Sequence, residues 1–332
     1  MLLRPAARGT AAALLAVLTV SLAHGASQRS LTPSLAKANA ALQAGEADNA
    51  LGMLESLPAP DASTGSAANL ECRVYLELEQ WDSAVTNCQQ AVQIDGQDSN
   101  FHMWLGRALG MKADHAIFLT AYSLAKRVRA EFEEAVRLDP RNADALADLG
   151  QFYVEAPGVV GGGVDKADGI AAQLEKVDAA GAHRLRGEIA EQRKDYSGAE
   201  HEFKMATVSE EHRASDWIAL AGFYRRRERW TDMETAIHIG EIAADRDKVS
   251  GLALYDGASV LIETHRDPTL AAKMLEDYLA GSSKTEEAPA FVAHIRLARL
   301  KDQLRDAAGA SRERAAALAL ANNYKAGPAP TH

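Results

Sequence analysis

Along most of the chain apolar residues recur at spacings of three and four, the period of a helix with one buried face. Val128, Phe132 and Ala135 fall on one such face, Leu138-Asp139-Pro140 ends it, and Leu146, Leu149 and Tyr153 open a second stripe after a short polar link. The alternation returns throughout, so the repeating unit is a helical hairpin rather than a long helix or a strand pair. With Ala135 at position 27 of its unit, the hairpins start near 31, 65, 99, 143, 180, 214, 252 and 291. A hairpin this short cannot bury its apolar face alone, so neighbours must stack and share a core. The pattern predicts an all-α, right-handed α-solenoid of about eight hairpins over residues 26–320, followed by a flexible tail over 321–332.

The best-formed stretches are Leu146-x2-Leu149-Gly150-x2-Tyr153, Trp217-x2-Leu220-Ala221-x2-Tyr224 and Ala199-x3-Phe203-x2-Ala206. They resemble the tetratricopeptide repeat, TPR, whose W-x2-L-G-x2-Y, A-x3-F and P signature returns about every 34 residues. The resemblance spans roughly residues 31–320 and is to an exported bacterial TPR-containing protein. It implies a non-enzymatic scaffold that binds a protein or peptide partner along a concave groove. First-helix positions 5 and 9 line that groove in the family, which points here to Asn69, Arg73, Met103, Arg107, Gln151 and Arg184. Arginine forks suit carboxylates, so an acidic segment or a free C-terminus is one expected ligand. The alternative is that each arginine pairs with an acid on the next repeat. The Lys and Asn clamp of chaperone-binding TPR domains is not reproduced at these positions.

Two stretches depart from the pattern. About ten extra residues follow Leu105-Gly106, and Ile117, Ala121, Leu124 and Val128 continue the Phe132 stripe backwards, so the second helix there is expected to start early. Residues 156–163 carry a Pro and three consecutive glycines, a longer link than the usual tight turn. An alternative function follows from them: an enzyme or enzyme subunit whose pocket is framed by the 111–130 insertion and the 156–163 loop. The glycines do not make a phosphate loop, because Gly163 is followed by Val164-Asp165 and not by Lys-Ser/Thr, and a helix precedes them.

The first 25 residues read as a signal peptide: Arg4 and Arg8, then an apolar run from Ala11 to Ala23, then small residues before a cut after Gly25. The expected location is therefore periplasmic or secreted, with no membrane insertion after cleavage. An uncleaved N-terminus would instead make the protein a membrane-anchored envelope assembly factor. Removing two arginines takes the formal charge from 36 minus 46 to 34 minus 46, about −12. A chain so acidic, with no basic face, is not expected to bind nucleic acid.

Cys72 and Cys88 fall on facing helices of one hairpin and could form a disulfide in an oxidising compartment or remain two small buried thiols. His102, His183 and His294 take position 4 of their repeats, with no metal-ligand spacing, and no nucleophile or cofactor motif is present. No cofactor, metal site or catalytic residue is expected. The sequence leaves the oligomeric state open.

Overall fold

A computed structural model describes residues 31–208, 214–246 and 251–324. The proposed signal peptide lies outside them, as does the tail beyond Tyr324. The described residues are all-helical and form an α-solenoid of eight hairpins. In chain order these are α1 (Pro33–Gln43) with α2 (Ala47–Glu55); a single turn, α3 (Ala59–Ala62); α4 (Gly65–Glu77) with α5 (Trp81–Ile94); α6 (Ser99–Asp114) with α7 (Phe118–Leu138); and α8 (Ala143–Glu155) with α9 (Val164–Leu174). Then come α10 (Ala179–Gln192) with α11 (Tyr196–Thr207); α12 (Ala214–Arg226) with α13 (Trp230–Arg246); α14 (Gly251–Glu263) with α15 (Pro268–Ala280); and α16 (Ala290–Gln303) with α17 (Ala307–Leu320).

The starts and turns of these helices are written locally. Side-chain oxygens of Thr64, Asn142, Asp178, Asp195, Asp267 and Asp306 each accept a backbone N–H three residues on, satisfying donors that a helix start leaves open. Six of the eight hairpins close with one turn: the N–H of Glu46, Gln80, Asp195, Arg229, Arg266 and Asp306 donates to the carbonyl five residues earlier at 2.8–2.9 Å. The residue before each donor is left-handed, Gly45 in the first hairpin and Glu79, Lys194, Glu228, His265 and Arg305 in the others. The two hairpins without this turn are those carrying the insertion and the glycine loop.

Tight crossings depend on the small residues of the repeat. Ala84, Ala135, Ala199 and Ala271 are fully buried, and Phe132 and Phe203 pack beside such alanines. A Cβ on Gly106 would come within 2.4 Å of the Phe132 ring, so the first helix can approach that ring only because position 8 is glycine. The position-4 histidines are structural. His102, His183 and His294 each bond through Nδ1 to a glutamate of the following helix, Glu131, Glu202 and Glu313, at 2.7 Å.

The insertion lengthens both helices of its hairpin, α6 to 16 residues and α7 to 21. The buried stripe begins at Leu124 and Val128, not at Ile117, which is the α7 N-cap and is 78% exposed. Ile117, Phe118 and Leu119 at the start of α7 are 77–83% exposed, so the helical period continues there without a buried face. The glycine loop lies against this extension: Val160 is buried, Gly161 sits against the Arg129 guanidinium, and Lys166 Nζ donates to the Gly161 carbonyl at 2.7 Å.

The terminal hairpins do not cap open ends, as small first-helix residues and a polar last helix would suggest; they pack on each other. Leu35, Leu42, Leu54 and Leu70 share a core with Phe291, Ala317 and Ala321. A Cβ on Gly45, which has φ +71°, would lie 2.2 Å from the Ala290 nitrogen, so glycine is required for both the turn and the approach of the last hairpin. The Asn322 N–H donates to Asp48 at 2.7 Å, the Tyr324 hydroxyl donates to Glu79 at 2.9 Å, and the Tyr324 ring meets Phe291 at 4.9 Å. Residues 321–324, assigned by composition to the tail, are thus part of the closure.

Candidate binding site

Closure turns the concave face into the wall of a cavity of about 670 Å³. One side comes from α4, α6, α7 and the second half of α8, and the other from α14, α16 and the 281–289 link. Trp81, Trp104, Phe132 and Tyr255 supply its aromatic surface, and Met111, Asp114 and Val128 bring part of the insertion to its wall. No residue of the 156–163 loop contributes.

Of the six groove positions read from the sequence, Arg73, Arg107 and Gln151 line this cavity and Arg184 does not. Asn69 and Met103 are buried at 5% and 3% exposure, and Met103 packs with Ala135 and Ala145. Position 5 of a first helix is here taken up by contact with the neighbouring hairpin. Gln151 Nε2 donates to Glu155 at 3.0 Å on its own helix.

None of the three arginines stands free. Arg73 makes a fork to Glu286, Nε to Oε2 at 2.7 Å and Nη2 to Oε1 at 2.6 Å, and also reaches Asn39 at 3.1 Å. Gln43 bonds the same carboxylate at 2.8 Å. Arg107 Nε donates to Asp148 at 2.6 Å, and Arg184 pairs with the fully buried Asp216 and with Asp178. Arg226 and Arg225 continue the scheme, to Glu191 and Glu263. Apart from Arg184–Asp178, which lies within one helix and its cap, each pair ties one hairpin to another, so arginines on the inner helices act as clamps between repeats.

The inner face holds more acid than these clamps use. Burial and nearby Glu155 push the Glu188 carboxyl up to about 7, against Arg226 and Arg184. Burial pushes Asp256 up to about 6, opposed by Arg296. Glu77 is 7% exposed, and neither of its carboxylate oxygens has a hydrogen-bond partner. Burial, followed by Glu286, holds it well above the usual carboxylate range; Arg73 opposes this and Glu287 adds to it.

Arg73 and Arg107 stack on Trp104, with guanidinium carbons 5.0 and 4.6 Å from the ring centre, and Arg296 stacks on Tyr255 at 4.6 Å. Sequence reasoning missed Glu77, Glu286, Glu287 and Arg296. Tyr255 and Arg296 sit on first helices of the last two repeats, where the phase could have pointed to them. Glu286 and Glu287 lie in a link with no period, and only closure brings them inside.

Cys72 and Cys88 form a disulfide across α4 and α5, with Cα atoms 5.2 Å apart. Among the described residues no group of His, Cys, Asp and Glu is arranged to hold a metal ion, and no helix is long and apolar enough to cross a membrane.

No family model matches the chain, and no curated protein matches it. Among solved structures it is similar to a thermophilic TPR protein from Thermus thermophilus, with a TM-score of 0.49 and 17% identity, over 57% of this chain and 96% of that one.

Proposed function

We propose that the protein is an exported, non-enzymatic adaptor that holds a segment of a partner protein or peptide inside the closed array. The supporting observation is the cavity itself. It has the size of a small-ligand or side-chain cluster site, it is walled by inner helices from both ends of the chain, and it combines four aromatic rings with charged groups. A TPR-like array presents the inner faces of its first helices to ligands, and here closure concentrates those faces around one space. Export follows from the N-terminal pattern of basic, apolar and small residues.

Site-specific photo-crosslinking in cells tests the binding site. A crosslinking residue at Gln151, on the cavity wall, is expected to trap a partner, whereas one at Met205, exposed outside the cavity, is expected not to. Adducts from Met205 alone would place binding elsewhere and defeat the reading. N-terminal sequencing of the same preparation is expected to begin at Ala26; a chain beginning at Met1 would defeat the export part.

A further inference from the structure

Five carboxylates against three guanidiniums line the cavity, and the guanidiniums are already engaged. Arg73 is held by Glu286, Arg107 by Asp148, and Arg296 by Ser259 and the Tyr255 ring. Glu79 accepts the Tyr324 hydroxyl, and Asp114 lies exposed at the end of α6. Among the described residues Glu77, more than nine-tenths buried, has both oxygens unbonded, and Glu287 and Asp114, both exposed in the same cavity, make no side-chain hydrogen bond; of these two exposed acids it is Glu287 whose charge bears on Glu77.

Burying a carboxylate with no donor is among the costlier things a fold can do, and native structures keep very few such groups. A neutral ligand would leave the excess of negative charge in place; a cation removes it and brings the missing N–H donors. The walls already accommodate cations, because each of the three guanidiniums lies within about 5 Å of an aromatic ring centre.

We infer that the Glu77 and Glu287 end of this cavity is a recognition site for the ammonium or guanidinium head of a lysine or arginine side chain on the bound segment. The inference rests on the adaptor reading and reverses the sign of ligand that unpaired groove arginines would select. The aliphatic stem of the ligand residue lies against Trp81, Trp104 and Tyr255, and its head meets Glu287 at the open side before Glu77 further in. The raised Glu77 carboxyl fits this arrangement: burial, then Glu286, pushes it up, and Arg73, already engaged by Glu286, offsets that only in part.

The test uses the intact chain and four pools of acetylated, amidated hexapeptides, identical except that one central position is fixed as Lys, Arg, norleucine or Glu. Binding is read by tryptophan fluorescence and calorimetry. The Lys or Arg pool is expected to bind at least about tenfold more tightly than the norleucine pool, as charge-assisted hydrogen bonds require. Glu77→Gln is expected to reduce that advantage to under about threefold while leaving the norleucine pool unchanged. Glu287→Gln, at an exposed position, is expected to weaken it as well and decides the matter if Glu77→Gln does not fold.

Equal binding of the Lys, Arg and norleucine pools overturns the cation site and leaves the adaptor reading standing, as does a preference that survives both substitutions. Tightest binding of the Glu pool overturns it in favour of an acidic ligand. If no pool binds, the site and the adaptor reading fail together.

Discussion

Closure of the array makes a prediction that an open solenoid would not. Among the described residues the Glu286 side chain hydrogen-bonds only to partners more than two hundred positions earlier, Arg73 and Gln43, so Glu286→Ala perturbs the contact between the ends and little else. The Arg73 and Glu286 side chains are 14% and 9% exposed. Removing one member of a buried pair costs about 3–5 kcal/mol, chiefly because the other charge is stranded. Residual exposure of Arg73, with its surviving bond to Asn39 and stack on Trp104, lowers the expectation to about 2–4 kcal/mol. Denaturant unfolding measures the total, and amide hydrogen exchange shows where it acts. In an open array each repeat feels only its neighbours, whereas here α1, α2 and α4 should lose protection although the substitution lies beyond α15. Glu134→Ala, which breaks an exposed pair with Arg137, is the control and should cost under about 0.5 kcal/mol. Unchanged exchange over residues 33–77 of Glu286→Ala, with loss confined to α15 and α16, would refute the closure argument.

Phe203 is 2% exposed and packs on Phe223 with ring centres 5.4 Å apart, so Phe203→Ala should cost about 3–5 kcal/mol in a denaturant melt. Reducing the Cys72–Cys88 bridge, which spans 16 positions, should lower stability by about 3 kcal/mol if the crosslink acts by restricting the unfolded chain, and a melt with and without reductant measures it. Because the folded-state pKa of Glu188 is raised to about 7, the folded chain holds that proton more tightly than the unfolded chain does. Its stabilising contribution is full below the unfolded value of about 4.3 and is lost as pH rises to about 7. Glu188→Gln, neutral throughout, should therefore match the parent near pH 4 and exceed it near pH 8 by on the order of 3 kcal/mol, as read by chemical melts at the two pH values.

The hairpins were legible in the chain because their determinants are local. Helical spacing of apolar residues, a capping oxygen three residues before an open N–H, and a small residue wherever two helices cross are satisfied within one repeat or between neighbours. The histidines at position 4 show the same locality, each finding its glutamate on the next helix. The sequence also placed Arg73, Arg107 and Arg184 on inner helices, and left open whether they would meet a ligand or an acid of the protein itself. The tertiary structure decided that, since Glu286 reaches Arg73 only when eight hairpins have accumulated enough rotation to bring the ends together. No short-range pattern encodes that sum. Small angles between successive repeats add over the whole array, so the burial of Phe291 against the first hairpins, the packing of Tyr324 and the stranding of Glu77 in a shared cavity exist only in the closed molecule.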